Sequence, residues 1–346
     1  MPPPAVVALA TAVPRRFTQE ETFVLSGYRN SRARAIFMNS DIAHRHLWLD
    51  PATFKPNETP DQLHERYATG AFRLACLAAR EAMEKSGLAA RDLDAIFVAT
   101  CTGYLCPDLA TRLAGHLGMR QDVQRGALLG HGCAGALPLL QRAHDFAAAR
   151  PGTRVLAIAV EICSACYFFD ISMETVVGNA ICADGAAAVI LSTETPSSAT
   201  IVPSLLTFQT QLDPANLDKV GFEQKDGKLR IILSAEIREL AGPIISKCLG
   251  ALFALAGVTR EDIRHWVLHP GGRKVLDRVA QHLALPEEAL QPARHVLRNF
   301  GNMSSPTALF VLDEITRSGR PQAGDYGVLL ALGPGFVAEA ALLRWS

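Results

Sequence analysis

Three glycine-rich segments hold the side chains of this chain that could make and break covalent bonds. Cys133 stands in Gly130-His131-Gly132-Cys133-Ala134-Gly135-Ala136, between the apolar run Ala127-Leu128-Leu129 and a helical pattern from Leu137 to Ala149. A strand that turns through glycines into a helix sets its turn residue at the helix's positive end. Free N–H groups and the macrodipole there favour the thiolate over the thiol. His269 follows the apolar Trp266-Val267-Leu268 and precedes Pro270-Gly271-Gly272, and Asn302 lies in Gly301-Asn302-Met303-Ser304-Ser305. A thiol nucleophile needs a base or cation beside it and donors for the oxyanion it creates. Imidazole supplies the first; a carboxamide, which donates but takes no proton, suits the second. Singly, each has a plainer reading: inert packing for a buried cysteine, a satisfied core group for the histidine, a turn residue for the asparagine. Their order, each at a glycine-rich junction, reads as a Cys/His/Asn acyl-transfer site, and the chain as an enzyme.

Positioning such distant residues is work for the fold. The runs Val6–Val13, Ala95–Ala99, Arg154–Val160 and Ala186–Leu191 read as strands, with helices at Pro60–Ser86 and Pro107–Gly118 between them. Gly87 is expected to cap the first helix. Thr193–Pro203, rich in Ser, Thr and Pro, reads as a linker. Beyond it the alternation repeats, with strands at Leu205–Thr210, Lys228–Leu233, Trp266–Leu268, Gly327–Leu332 and Ala338–Leu343. Helices are expected at Ala235–Ala256, Arg273–Leu283 and Ser305–Ser318. The expectation is an α/β protein of two similar halves, residues 1–197 and 198–346, with buried strands under covering helices.

Composition narrows the function classes. Lys plus Arg equals Asp plus Glu at 34 each, so no global field recruits nucleic acid or a membrane surface. The opening Met-Pro-Pro-Pro is not a basic stretch followed by an apolar one, and no apolar run is read as long enough for a membrane span. The expectation is a cytoplasmic protein with eight reduced cysteines. Cys163 and Cys166 form the one CxxC pair, with no second ligand pair for zinc and no Gly-Pro turn for redox exchange. They read as wall thiols, and no metal is expected.

In its glycine-rich segments the chain resembles the type III polyketide synthases, the chalcone-synthase-like enzymes. The resemblance rests on Gly132-Cys133-Ala134-Gly135, His269-Pro270-Gly271-Gly272, Gly301-Asn302-Met303-Ser304-Ser305 and Gly333-Pro334-Gly335-Phe336, and covers nearly the whole length. It implies a thiolase-like, five-layered αβαβα fold, a homodimer, and coenzyme A thioesters as substrates with no cofactor and no carrier protein. It also implies that a Cys133 thiolate paired with protonated His269 takes an acyl group from acyl-CoA. Malonyl-CoA then loses CO₂, His269 and Asn302 stabilise the enolate, and the enolate extends the acyl chain.

The resemblance extends to the cavity. Ser304, Gly335 and Phe336 belong to its substrate-binding segments. Cys182 and, by register, Ala235 stand where plant enzymes carry two gating phenylalanines. Cys163 and Cys166 replace cavity threonines, Cys101 and Thr102 align with cavity positions, and Cys106 with a residue that reaches the neighbouring subunit. Smaller, softer walls would admit a flexible alkyl chain, each buried methylene contributing about 0.8 kcal/mol. A fatty acyl-CoA starter and an alkylpyrone or alkylresorcinol product are therefore expected, with a tetrahydroxynaphthalene-type synthase that uses malonyl-CoA alone as the alternative. For the CoA phosphates the cations would be Arg32, Arg34, Arg273 and Lys274, beside Gly272, although Ala35 and Asn39 stand where plant enzymes have basic residues. A solvated charged face competes for Arg32 and Arg34.

Other classes stay open at this level. An initiating β-ketoacyl-carrier-protein synthase also pairs Cys, His and Asn, but Met303 and the Gly-Pro-Gly-Phe segment argue against it. A hydroxymethylglutaryl-CoA synthase would want an added acid, and nothing local marks Glu65 as one. A non-catalytic partner subunit would be expected to have lost Cys133.

Overall fold

Apolar, β-branched runs form the strands, and capping signals set the helices around them. The computed structural model describes residues 2–194 and 201–346. The first half runs β1 (Ala5–Ala12), β2 (Arg15–Thr18), α1 (Gln19–Ser26), α2 (Ser31–Met38), β3 (His44–Leu47), α3 (Pro60–Ser86), β4 (Ala95–Thr100), α4 (Leu109–Leu117), β5 (Gln124–Leu129), α5 (Ala136–Ala149), β6 (Arg154–Ile162), α6 (Met173–Ile181) and β7 (Asp184–Ser192). The second runs β8 (Pro203–Leu212), β9 (Val220–Lys225), β10 (Lys228–Leu233), α7 (Ile237–Ala256), β11 (Ile263–Leu268), α8 (Arg273–His282), α9 (Glu287–Phe300), α10 (Pro306–Arg317), β12 (Tyr326–Gly333) and β13 (Val337–Trp345). The expected boundary at 197/198, and most of the expected linker, lie outside the described residues.

The long helix α3 shows why these sequences fold as they do. Thr59 and Gln62 form a capping box around Pro60, and Gly87 closes the C-terminus in the left-handed conformation. Between them Leu63, Tyr67, Ala71, Leu74, Ala78 and Ala82 recur at helical spacing and are buried.

The second half repeats four of the first half's five sheet strands in the same order. In the first, the strand order is β5-β4-β6-β7-β1, with β4 parallel to β5 and β6 and the rest antiparallel. In the second it is β11-β12-β13-β8, with β11 parallel to β12 and the rest antiparallel. The two sheets meet edge to edge at a single pair, Ala5 with Ser204. Helices α3 and α4 cover one sheet, α7 covers the other with α8 packed on it, and α5 and α10 lie between the sheets. Five layers, αβαβα, result. Cys133 precedes α5 and Asn302 precedes α10, so both stand at the mouth of the central helical layer.

Two expectations change. Helix α7, Ile237–Ala256, is long and apolar enough to cross a membrane by length and composition. Its buried face (Ile237, Ala241, Ile245, Cys248, Leu252) packs on β8 and β13, so its hydropathy is that of a core helix. The β2–β3 ribbon, strand β9 and helices α1, α2, α6 and α9 have no counterpart among the elements expected from sequence.

Candidate active site

The turn carrying Cys133 is shaped by what presses on it. After β5 the backbone takes φ 81° at Gly130 and φ 52° at Gly132, the left-handed region, and then forms a short 3₁₀ turn over Gly132–Ala134. A Cβ on Gly132 would come within 2.5 Å of Pro334 Cδ, and one on Gly333 within 2.7 Å of Ala134 Cβ. The Gly-Pro-Gly-Phe segment therefore buttresses the cysteine turn directly, and Phe336, 1% exposed, lines the cavity beside it.

Asn302 is held at both ends of its amide. Its Oδ1 accepts the Ser304 N–H at 2.8 Å, and its Nδ2 donates to the Gly271 carbonyl at 3.2 Å. That pairing fixes the amide's orientation and turns the second Nδ2 hydrogen toward Cys133. Cys133 Sγ lies 4.0 Å from both Oδ1 and Nδ2. The backbone is anchored too: Asn302 N donates to the Ile181 carbonyl at 2.9 Å, and its own carbonyl accepts from Ala183 N at 2.8 Å. Met303 is fully buried and packs against Gly185, which has no side chain to stand in its way.

His269 directly follows β11, its N–H bonded to the Leu330 carbonyl at 2.9 Å. Both ring nitrogens are buried and have no protein partner. Cys133, His269 and Asn302 line one cavity of about 70 Å³, together with Leu233, Ile237 and Val279. The nucleophile, a free imidazole and a free amide donor thus meet at the polar end of an apolar space.

Burial sets the charge state. It pushes the Cys133 thiol up to about 12, with a Ser304 hydrogen bond pulling weakly the other way. It pushes His269 down to about 4. Loss of water around each group, taken alone, favours the neutral thiol and the neutral imidazole.

Most of the expected cavity residues gather behind this trio. Cys101 Sγ is 3.6 Å from Ser304 Oγ, and Cys166 Sγ donates to the Thr102 carbonyl at 3.5 Å. Cys163 and Cys166 sit buried in a turn after β6, and Cys182 makes a bridge with Asn302. Cys101 and Thr102 line a second cavity of about 420 Å³ together with Tyr67, Tyr104 and Leu129. Cys106 is exposed, ahead of the cis peptide to Pro107, and borders neither cavity. Ala235 is a correction: it is exposed and lines neither cavity, because β10 ends at Leu233 and the register brings Leu233 and Ile237 to the wall instead. Arg32, Arg34, Arg273 and Lys274 are exposed and line neither cavity, and Arg34 already pairs with Glu20 at 2.8 Å. Gly272 caps α8 next to Gly271, the residue that holds Asn302.

Glu161 was not read from sequence. Fully buried in β6, it accepts from Cys101 N at 2.9 Å, Thr102 N at 3.1 Å, Thr102 Oγ1 at 2.8 Å and Ser305 Oγ at 2.7 Å. One carboxylate so ties the end of β4 to the start of α10. The available signal was a lone acid in the apolar run Val160-Glu161-Ile162.

Comparison with known proteins agrees with this geometry. The family description "Chalcone and stilbene synthases, N-terminal domain" matches residues 3–195, and the C-terminal description matches 208–345. A 3,5-dihydroxyphenylacetyl-CoA synthase of Streptomyces toyocaensis is 32% identical over 354 residues, spanning 99% of this chain and 90% of that protein. A 1,3,6,8-tetrahydroxynaphthalene synthase of Streptomyces peucetius is 32% identical over 350 residues, spanning 99% and 93%. Among solved structures, PKS-I of the brown alga Ectocarpus siliculosus superposes with TM-score 0.93 at 25% identity, covering 100% of this chain and 99% of that one. The tetrahydroxynaphthalene synthase of Streptomyces coelicolor superposes with TM-score 0.91 at 25% identity, covering 99% of both. The chain belongs to the chalcone and stilbene synthase family and is a type III polyketide synthase, an enzyme of the acyltransferase type.

Proposed function

We propose that the chain builds a polyhydroxylated aromatic from malonyl-CoA, which serves as both starter and extender. The observation that carries the chemistry is the convergence of Cys133 Sγ, the unpartnered His269 ring and the free Asn302 N–H in one cavity. Neutral His269 takes the Cys133 proton as the sulfur attacks the thioester carbonyl, and CoA leaves as thiol once reprotonated. Charge thus develops along the reaction path, where the ion pair and the donors stabilise it most. The next malonyl-CoA places its thioester oxygen against the His269 and Asn302 donors and loses CO₂. Its enolate carbon then attacks the Cys133 thioester and displaces the sulfur. Loss of CO₂ drives the condensation, so no metal or redox group is invoked.

The relatives support the starter assignment. Naphthalene oxygenated at carbons 1, 3, 6 and 8 has its ten carbons and alternate oxygens accounted for by C2 units alone. The dihydroxyphenylacetyl skeleton has eight carbons and reads the same way. The test is product analysis with carbon-labelled malonyl-CoA, alone and beside unlabelled acyl-CoAs of increasing length. A fully labelled aromatic from malonyl-CoA alone is expected, and an absolute need for the second acyl-CoA would reject the assignment.

A fatty acyl starter is the second reading, and one observation favours it: away from the three polar residues the cavity wall is aliphatic, at Leu233, Ile237, Val275, Leu276 and Val279. It would appear as an unlabelled alkyl tail on a labelled ring. We further propose a cytoplasmic homodimer. Strand β5 ends the sheet with an open edge, and Leu129 and Tyr104 beside it are 46% and 64% exposed, a surface that a second copy would cover.

A further inference from the structure

At 0% exposure Arg45 is the most deeply buried cation among the described residues, and the chemistry above gives it no task. It lies in β3, a short strand paired to β2 outside both main sheets. Its Nη1 donates to the Cys182 carbonyl at 2.7 Å, its guanidinium lies 5.5 Å from the centre of the Phe37 ring, and its Nε and Nη2 have no partner. A buried guanidinium with only part of its donors used is costly, so what it does hold needs a reason.

What it holds is the back of Asn302. Ile181 and Ala183 supply the two backbone bonds that fix Asn302, at 2.9 Å and 2.8 Å. Between them, the carbonyl of Cys182 takes no part in that bridge and faces Arg45. Gly301 completes the contact: a Cβ there would meet the Ile181 carbonyl at 3.0 Å and Arg45 Cβ at 3.2 Å. The neighbouring Trp48 N–H is fixed by buried Asp184 at 2.6 Å, so β3 is tied to this segment at two points.

We propose that Arg45 is a positioning residue for Asn302: by holding the Cys182 carbonyl it sets where the free amide hydrogen of Asn302 stands over Cys133. This rests on Asn302 acting in malonyl-CoA decarboxylation. The same guanidinium also acts on the Cys182 thiol, which is held below its ordinary range by a hydrogen bond with Cys163 first and by Arg45 next.

The experiment is a cycle of wild type, R45M, N302A and R45M/N302A. Malonyl-CoA decarboxylation and single-turnover acylation of Cys133, read by intact mass, are measured for each. Methionine keeps length and apolar packing while removing the charged donor. R45M should lower the decarboxylation kcat roughly 10- to 100-fold, with KM and acylation within about threefold of wild type. The double variant should be no slower than N302A, since the lost amide cannot be mispositioned twice. R45K, which retains the charge and one donor, should recover to within about tenfold of wild type. If R45M does not fold, R45K carries the same cycle. Additive losses, or acylation falling as far as decarboxylation, would overturn the inference alone. Wild-type decarboxylation in N302A would overturn the assignment beneath it, and the inference with it.

Discussion

Asn302 Oδ1 accepts the backbone N–H of Ser304 at 2.8 Å, and Ser304 holds φ 59°, a conformation that non-glycine residues rarely adopt. The bond and the strained backbone support each other: the turn aims the amide, and the amide keeps the turn. Ser304 in consequence presents its hydroxyl to Cys101 at 3.6 Å while Asn302 Nδ2 faces Cys133 Sγ at 4.0 Å.

Substitution Asn302→Asp separates these roles. The carboxylate still accepts from Ser304, but it offers no donor to a thioester oxygen and sets a negative charge beside the Gly271 carbonyl. Decarboxylation of malonyl-CoA should fall by roughly 10²- to 10³-fold, the effect of removing one oxyanion donor. Acylation of Cys133 should fall by less than about tenfold, because attack by sulfur needs the imidazole more than the amide. Both rates come from one intact-mass and CO₂-release series, and equal losses would contradict the division of labour.

Burial of Cys133 and His269 has a pH signature. Burial alone pushes the thiol up to about 12 and the imidazole down to about 4, and on that balance raising pH ionises Cys133 only at the alkaline end. Inactivation of the free enzyme by iodoacetamide should rise through pH 9 without levelling off below it. A preformed thiolate would instead give a plateau from mildly acid pH upward, the mark of an activated cysteine. A plateau would also mean that mutual attraction across the cavity outweighs the loss of solvation.

How much of this was readable follows from what each signal depends on. Local signals were plain: Thr59, Pro60, Gln62 and Gly87 mark the bounds of α3, and the glycine turns mark Cys133, His269 and Asn302. Helix α9 repeats Leu290, Ala293, Val296 and Leu297 at helical spacing, but Pro292 within it masks the pattern. The β2–β3 ribbon was unreadable because its residues are Arg15, Arg16, His44, Arg45 and His46, polar types that look solvated; only the fold buries Arg45 and His46. Ala235 failed for another reason. A wall position at the end of a strand depends on register, and two extra residues past Leu233 carry the chain out of the wall.

Glu161 offers a test of fold and site together. In Glu161→Gln, the amide oxygen can take over the bonds from Cys101 N and Thr102, while the amide nitrogen donates to a Ser305 hydroxyl turned to accept. This variant should melt within a few degrees of wild type. Glu161→Leu leaves two buried N–H groups and three hydroxyls, of Thr100, Thr102 and Ser305, without their acceptor, and stability should drop by about 3 kcal/mol or more. Thermal denaturation of the two variants side by side checks this. Equal melting points would mean that the carboxylate does not tie the two loops.

Gly132→Ala asks whether the buttress at Pro334 sets the nucleophile's place. Alanine at φ 52° carries about 1–2 kcal/mol of left-handed strain before any contact is counted. Its methyl would also stand 2.5 Å from the Pro334 ring, closer than real side chains approach, and neither the proline nor the 3₁₀ turn has a flexible end to yield. The turn must therefore move, and Cys133 with it. Acylation should fall by at least about 100-fold, since displacement of a reacting atom by about 1 Å is worth that much. Gly132→Ala with Pro334→Gly removes the ring but keeps the strain, so acylation should recover while thermal stability stays low. Recovery of neither property would show that φ at Gly132, and not the contact with Pro334, places the sulfur.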